Sequence, residues 1–151
     1  MIRRIRFGIG VVVLLALTFT VVLGVKTAAD GGMAPDWNQG RPMLVFRLAM
    51  DYGRGDVVCV SLPKGGAAPR RVVAVAGDTV ELRDGRVFVN GIAERGNYSF
   101  TRTEPAADGP AYPLVLRQGE YFVLADRRDV LPDSRSFGVL TRADILGRVL
   151  A

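Results

Sequence analysis

The sequence predicts a mostly β domain of antiparallel sheet carried behind a single N-terminal transmembrane helix. Three observations predict it. The run from Phe7 to Val25 contains no charged residue. Beyond Ala29 the chain reads as short β-rich runs separated by turn residues, with no long amphipathic helix. Asp84-Gly85 lies between two segments of alternating apolar and polar residues, the pattern of a hairpin with one buried face.

The uncharged run is about 19 residues, roughly 28 Å as a helix, against a hydrocarbon core of about 30 Å. Arg3, Arg4 and Arg6 precede it and Lys26 follows. That imbalance predicts a cytoplasmic N-terminus at 1–6, an anchor at 7–25 and an exported domain at 26–151. Thr27-Ala28-Ala29 supplies small residues for an alternative, a cleaved secretory signal. The apolar run exceeds the roughly 7–15 residues of such signals, which favours a retained anchor. Either reading puts the folded part outside the cytoplasm.

In the exported part, Val80 and Leu82 alternate with Glu81 and Arg83, and Arg86 to Asn90 returns after the Asp84-Gly85 turn. This pair, 79–83 and 86–90, is the firmest element. Asn90-Gly91 marks a second tight turn. Further strands are predicted at 43–48, 56–61, 70–76, 120–125 and 146–150, where β-branched and aromatic residues cluster. Between Gly96 and Pro113 the composition of Pro, Gly, Ala and polar residues predicts a long loop.

Composition removes several chemistries. The chain has no histidine, so imidazole bases, Ser-His-Asp triads and His-based metal sites are excluded. Neither a metal nor another cofactor is expected. The single cysteine, Cys59, lies in the apolar run Val57-Val58-Cys59-Val60 and reads as strand packing; it forms no intrachain disulfide. The net charge of +5 is carried almost wholly by arginine, interleaved with Asp and Glu beyond the N-terminus. No basic stripe with aromatics appears, which argues against nucleic-acid binding.

Two motifs stand out: Arg70-Arg71-Val72-Val73-Ala74-Val75-Ala76-Gly77-Asp78, and Asp126-Arg127-Arg128-Asp129-Val130-Leu131-Pro132-Asp133-Ser134-Arg135-Ser136-Phe137-Gly138. With Gly32-Met33-Ala34-Pro35 and Gly55-Asp56, they follow the apolar segment in an order and spacing that resembles the bacterial type I signal peptidases (peptidase family S26). These are membrane serine proteases with a Ser-Lys dyad. The resemblance implies a signal-peptidase-like β domain whose apolar surface meets the bilayer. It also implies hydrolysis of the signal-peptide bond of exported preproteins.

The residues that would carry that hydrolysis depart from the pattern. The family's Ser-Met-x-Pro is matched by Gly32-Met33-Ala34-Pro35, so glycine holds the nucleophile position. Losing the nucleophile of a serine protease costs on the order of 10^6-fold in rate, about 8 kcal/mol of barrier. The general-base lysine falls at Arg70, and arginine stays protonated under any ordinary burial. The serine that supports the lysine falls at Leu131. Asp30 stands where some members place an oxyanion-hole serine and others a glycine, and a carboxylate there opposes developing negative charge. Retained on the family pattern are Met33, Pro35, Gly77, Asp78, Asp126, Arg128, Asp129, Asp133, Ser134, Arg135 and Gly138. They read as a frame of Asp-Arg pairs and glycine turns. Ser61-Leu62-Pro63-Lys64 has the Ser-x-x-Lys spacing, but Pro63 and Gly65-Gly66 argue for a loop and not the helical turn such a pair needs.

The resemblance leaves two functions open. One is a pseudoenzyme that keeps the fold and holds exported polypeptides, signal peptides or pilin-like subunits, beside the old cleft by strand addition. Some degenerate relatives assist pilus assembly, which implies pilin subunits and a sortase as partners beside membrane lipid. The other is an active signal peptidase using residues outside the family pattern. Apart from both stands a purely structural or regulatory partner of an intact signal peptidase.

Overall fold

A computed structural model describes residues 2–94 and 101–150; the side chains of 2–7, 11, 15, 17 and 18 lie outside that description. The chain begins with helix α1 (Ile2–Val22), whose described side chains include exposed Ile9, Val12, Val13, Leu14, Phe19 and Val21. Among the described residues no helix is long and apolar enough to cross a membrane.

The helix stops earlier than the span read from the sequence. Leu23, Gly24 and Val25 belong to strand β1 (Leu23–Thr27), which pairs antiparallel with β2 (Pro42–Phe46). The physical reason lies in Gly24, a weak helix former, and in the pairing partner. Arg47 fixes the junction: its N–H bonds the Val22 carbonyl at 2.9 Å, and its Nη1 reaches the Thr20 carbonyl at 3.2 Å. Both are carbonyls in the last turn of α1, which no helical N–H can satisfy.

The remaining strands are β3 (Val57–Ser61), β4 (Ala67–Ala74), β5 (Thr79–Arg83), β6 (Arg86–Val89), β7 (Ile92–Ala93), β8 (Leu114–Val115), β9 (Glu120–Leu124), β10 (Leu140–Thr141) and β11 (Ile145–Val149). A one-turn helix, α2 (Ser134–Phe137), and a 3-10 turn at Arg142–Asp144 complete the described elements. The pairings are antiparallel and form a seven-stranded sheet, β1-β2-β11-β3-β4-β9-β10, and a four-stranded sheet, β7-β6-β5-β8. Ala28, just past β1, bridges Ala67 at the start of β4, so the larger sheet curls until its edge strand meets its fifth member.

Alternation along each strand separates three apolar clusters. Val58 and Val60 of β3 join Val72, Val123, Ile145 and Tyr121 on one face, while Cys59 joins Met43, Val45 and Val149 inside the curl. The smaller sheet packs Val80, Val87 and Val89 against Val73, Phe122 and Leu124 of β4 and β9. β4 is therefore buried on both faces, and it is this strand that carries Arg70 and Arg71.

The hairpin of β5 and β6 turns at Asp84 and Gly85, with φ of 53° and 72°, the left-handed pair that its turn type needs. Asn90-Gly91 turns β6 into β7 in the same way. The predicted strand at 70–76 begins earlier, at Ala67: Pro69 sits inside β4 opposite Cys59 and does not end it. The predicted strand at 43–48 stops at Phe46 because Arg47 turns back to cap α1. Of the predicted loop at 96–113, residues 96–100 lie outside the described residues; 101–113 form neither helix nor strand.

Candidate functional site

Arg70 lies mid-way along β4, opposite Val58, with no solvent exposure. Its Nη1 and Nη2 bond Oδ1 and Oδ2 of Asp30 at 3.1 and 2.7 Å. Nε and Nη2 donate to the Pro132 carbonyl at 3.1 and 2.8 Å, and Nη1 donates to the Pro69 carbonyl at 2.7 Å. These bonds use the full donor capacity of a guanidinium. A guanidinium so completely paired has no donor left for a substrate.

Asp30 comes from the loop that follows β1. Burial raises its carboxyl, but the hydrogen bond and charge of Arg70, with the Gly32 N–H, outweigh it and leave Asp30 below the usual aspartate range. The Gly32 amide donates to Asp30 Oδ1 at 2.9 Å. An acyl-transfer site uses backbone N–H groups of this kind, the nucleophile's own among them, to bind an oxyanion. Here the donor is already engaged by a carboxylate within the chain.

Gly32 is closed in on the side where a side chain would project. A Cβ built on it would stand 3.0 Å from Arg70 Nη1, 3.0 Å from Asp30 Oδ1 and 3.1 Å from Ala125 Cβ. Its carbonyl accepts the Arg127 N–H at 2.8 Å, and the buried Met33 next to it accepts the Asp126 N–H on Sδ at 3.3 Å. Pro35 is exposed. The fold thus brings Asp30, Gly32 and Arg70 into one cluster. Leu131 is different: 48% exposed, it lies beside Pro132, whose carbonyl serves Arg70.

The flanking box forms a second buried network. Asp133 caps α2, accepting from the Arg135 N–H at 3.0 Å, and grips the same guanidinium at Nε and Nη2 at 2.9 and 2.8 Å. It also accepts the Ala125 N–H at 3.1 Å, tying α2 to the end of β9. Ser134 spends its hydroxyl on the Val123 N–H at 2.9 Å and is fully buried. Arg135 Nη1 reaches the Arg128 carbonyl at 2.7 Å, and Gly138, at φ 81°, closes the helix. Asp126 holds Arg71 in a bidentate pair at 2.9 and 2.6 Å. Arg128 meets Glu94 at 2.9 Å, while Asp129 meets Arg127 at the surface.

Asp78 lies farther off and pairs with Arg54 through both carboxylate oxygens, while accepting from the Val75 N–H and Asn90. Its neighbour Gly77 takes φ 86°, and Asp56 pairs with Arg148 at 2.7 Å. These are ties between turns and strands.

A family model described as signal peptidase, peptidase S26, matches residues 1–151. The chain belongs to this family. Signal peptidase IB of Staphylococcus aureus is 31% identical over 141 residues, covering 82% of this chain and 73% of that protein. Signal peptidase I of Bacillus licheniformis is 28% identical over 149 residues, covering 91% and 80%. The crystal structure of a signal peptidase I from Enterococcus faecalis V583 has a TM-score of 0.52 at 27% identity, over 67% of this chain and 97% of that one. The mostly β, antiparallel architecture is therefore that of a signal peptidase.

Several participants in the site were not legible in the sequence. By its place in the sequence Asp30 is a carboxylate opposed to an oxyanion; the structure gives it Arg70 and the Gly32 amide as partners. Pro132 acts through its backbone carbonyl, which carries no sequence signal. Ala125 closes space through a methyl group, and the Arg71–Asp126 and Arg128–Glu94 pairs join residues far apart in the chain.

Proposed function

We propose that this signal peptidase homologue is catalytically silent and holds exported polypeptides instead of cutting them. In this reading Gly32 and Arg70 occupy the nucleophile and general-base positions of the family. The observation that carries it is the Asp30–Arg70 ion pair packed against Gly32, with the Gly32 N–H donated to Asp30. Nucleophile, base and oxyanion donor are each replaced or engaged within a few ångströms. A site that had lost only its nucleophile would keep the other two.

The reading also takes α1 as a single-pass anchor, with residues 1–6 cytoplasmic and the β domain outside the cell membrane. The uncharged run and the exposed apolar side chains of α1 support it. An extended polypeptide could add as a strand beside the cleft, since strand addition needs main-chain hydrogen bonds and no nucleophile. The partners that fit are signal peptides or pilin-like subunits in pilus or surface-protein assembly, with a sortase or an active signal peptidase acting beside this chain.

Family membership favours a second reading, an active signal peptidase, and one experiment separates the two. A preprotein is incubated in detergent with the purified full chain, with Gly32→Ser/Arg70→Lys, and with a quadruple variant adding Asp30→Ser and Leu131→Ser. The silent reading expects no cleavage by the wild type or the double variant and slow cleavage by the quadruple one. Wild-type turnover within tenfold of an ordinary signal peptidase would overturn it.

A further inference from the structure

The donors around Asp30 hold its side chain as a receptor holds a small anion. Oδ1 takes the Gly32 N–H at 2.9 Å and Arg70 Nη1 at 3.1 Å, and Oδ2 takes Arg70 Nη2 at 2.7 Å. Three N–H groups thus converge on the two oxygens of one planar carboxylate, the geometry that a guanidinium fork and a backbone amide offer together. While Asp30 is seated, none of them is left over.

The receptor is fixed by bonds that do not involve Asp30. The other three bonds of Arg70 run to the carbonyls of Pro69 and Pro132, and the Gly32 carbonyl is tied to the Arg127 N–H. These keep the guanidinium and the amide in place when the carboxylate leaves, and a buried guanidinium stripped of its counter-charge demands another anion. Asp30 is the replaceable part. Its side chain is 20% exposed against 0% for that of Arg70, so water reaches the pair from the Asp30 side. The chain beside it is open: a Cβ on Gly31 would find a single neighbour within 4 Å, the Gln39 nitrogen at 3.9 Å.

We propose that Asp30 is an internal stand-in for the C-terminal carboxylate of a polypeptide, which displaces it to pair with Arg70 and the Gly32 amide. Exchange of one carboxylate for another conserves the charge and the geometry of the pair, whereas a dianionic phosphate would bury an extra negative charge. The Gly32 donor is a main-chain group, and a polypeptide added as a strand meets it with main-chain oxygens of its own. The terminal carboxylate is the main-chain group that also carries a charge for Arg70. The choice of a chain end as ligand rests on the proposed function; the displaceable carboxylate does not.

The test compares the full chain in detergent with Asp30→Gly and Asp30→Ala at constant ionic strength. Acetate matches the side chain that Asp30→Gly removes, and formate matches the carboxylate that Asp30→Ala removes. Each variant should lose thermal stability and regain it saturably with its matching anion, while chloride and sulfate have little effect and Asp30→Gly/Arg70→Met does not respond. A peptide with a free C-terminus, its C-terminal amide, and that amide carrying one internal Asp are then titrated, with the ¹H–¹⁵N shift of Gly32 as readout. The free acid should bind Asp30→Gly about tenfold or more tighter than wild type, because the internal competitor is gone; the plain amide should not distinguish the two chains. Equal affinity of wild type and variant for the free acid would overturn Asp30 as the competitor. An adventitious ion only, seen as an anion response that survives Arg70→Met, would overturn the receptor. Equal binding of the free acid and the internal-Asp amide would leave the receptor and overturn the chain end as its ligand. Should neither Asp30 variant fold even with its anion, the wild type decides: its Gly32 shift should move with the free acid and not with the amide, and the same response to both would overturn the proposal. Cleavage of a preprotein by the wild type would overturn the silent reading without moving any of these readouts.

Discussion

The carboxylate of Asp30 grips the guanidinium of Arg70 through two hydrogen bonds, at 3.1 and 2.7 Å, with the arginine wholly buried and the aspartate partly exposed. Forty residues apart in sequence, they meet because β4 presents Arg70 to the loop that follows β1. The pair is held from three sides, by the carbonyls of Pro69 and Pro132 and by the Gly32 amide.

Removing one partner of that pair should cost far more than removing both. Asp30→Asn leaves a buried guanidinium without its counter-charge and is expected to lose about 3–5 kcal/mol. Asp30→Asn/Arg70→Met should lose less than the sum of the single changes, because the stranded charge is gone. Urea unfolding of the full double-mutant cycle measures the coupling, and additive losses would contradict the pairing.

Gly32→Ser alone should destabilise by about 1–3 kcal/mol, since its Cβ enters space bounded at 3.0 Å by Arg70 and Asp30. The loss should shrink when Arg70→Lys and Asp30→Ser are added, which empties the facing volume. Thermal unfolding of the series reads this directly.

Asp133 satisfies the Ala125 N–H, the Arg135 N–H and the Arg135 guanidinium together, all out of water. Asp133→Ala is expected to cost at least about 3 kcal/mol, more than an exposed helix cap is worth. Denaturant midpoints should show it beside an Asp129→Ala control, whose surface pair with Arg127 should cost under about 1 kcal/mol.

Gly109 packs so closely on α2 that a Cβ would stand 1.9 Å from the Arg135 carbonyl oxygen. Gly109→Ala should therefore lose about 3 kcal/mol, although the residue lies in a stretch without regular structure. A change below about 0.5 kcal/mol would show that this loop is not seated on α2.

Acid should unfold the domain through its paired aspartates. For Asp30 and Asp78, burial raises the carboxyl, and the hydrogen bonds and charge of Arg70 and Arg54 bring each below the usual value. Their folded pKa values lie under the unfolded value of about 3.9. The stability they contribute is thus fully present above that value and is lost as the pH falls through the folded values. Urea midpoints should hold from pH 7 to about pH 5 and fall below about pH 4, with a shallower fall in Asp78→Asn.

Cys59 should resist alkylation in the native state, because burial pushes its thiol up to about 11 and removes it from solvent. Iodoacetamide at pH 8 is expected to label it only after denaturation, which mass spectrometry would report.

The sequence carried what depends on local pattern and residue type. The β5–β6 hairpin was readable because Asp84-Gly85 supplies the positive φ angles that a two-residue turn requires, and flanking alternation fixes its buried face. The order of the motifs named the family, and the identity of two side chains, Gly32 and Arg70, raised the question of activity, because glycine has no nucleophile and arginine does not give up its proton. What only the tertiary structure decided concerns partners distant in the chain. The end of α1 at Val22 depends on a strand and an arginine supplied by residues 42–47. The two-residue strands β7, β8 and β10 exist only through their neighbours, having too few residues to show a period. Asp30 looked like a charge opposed to catalysis; folding made it the counter-ion of Arg70, because ion pairing depends on distance in space, and one strand of sheet brings together what forty residues of chain separate.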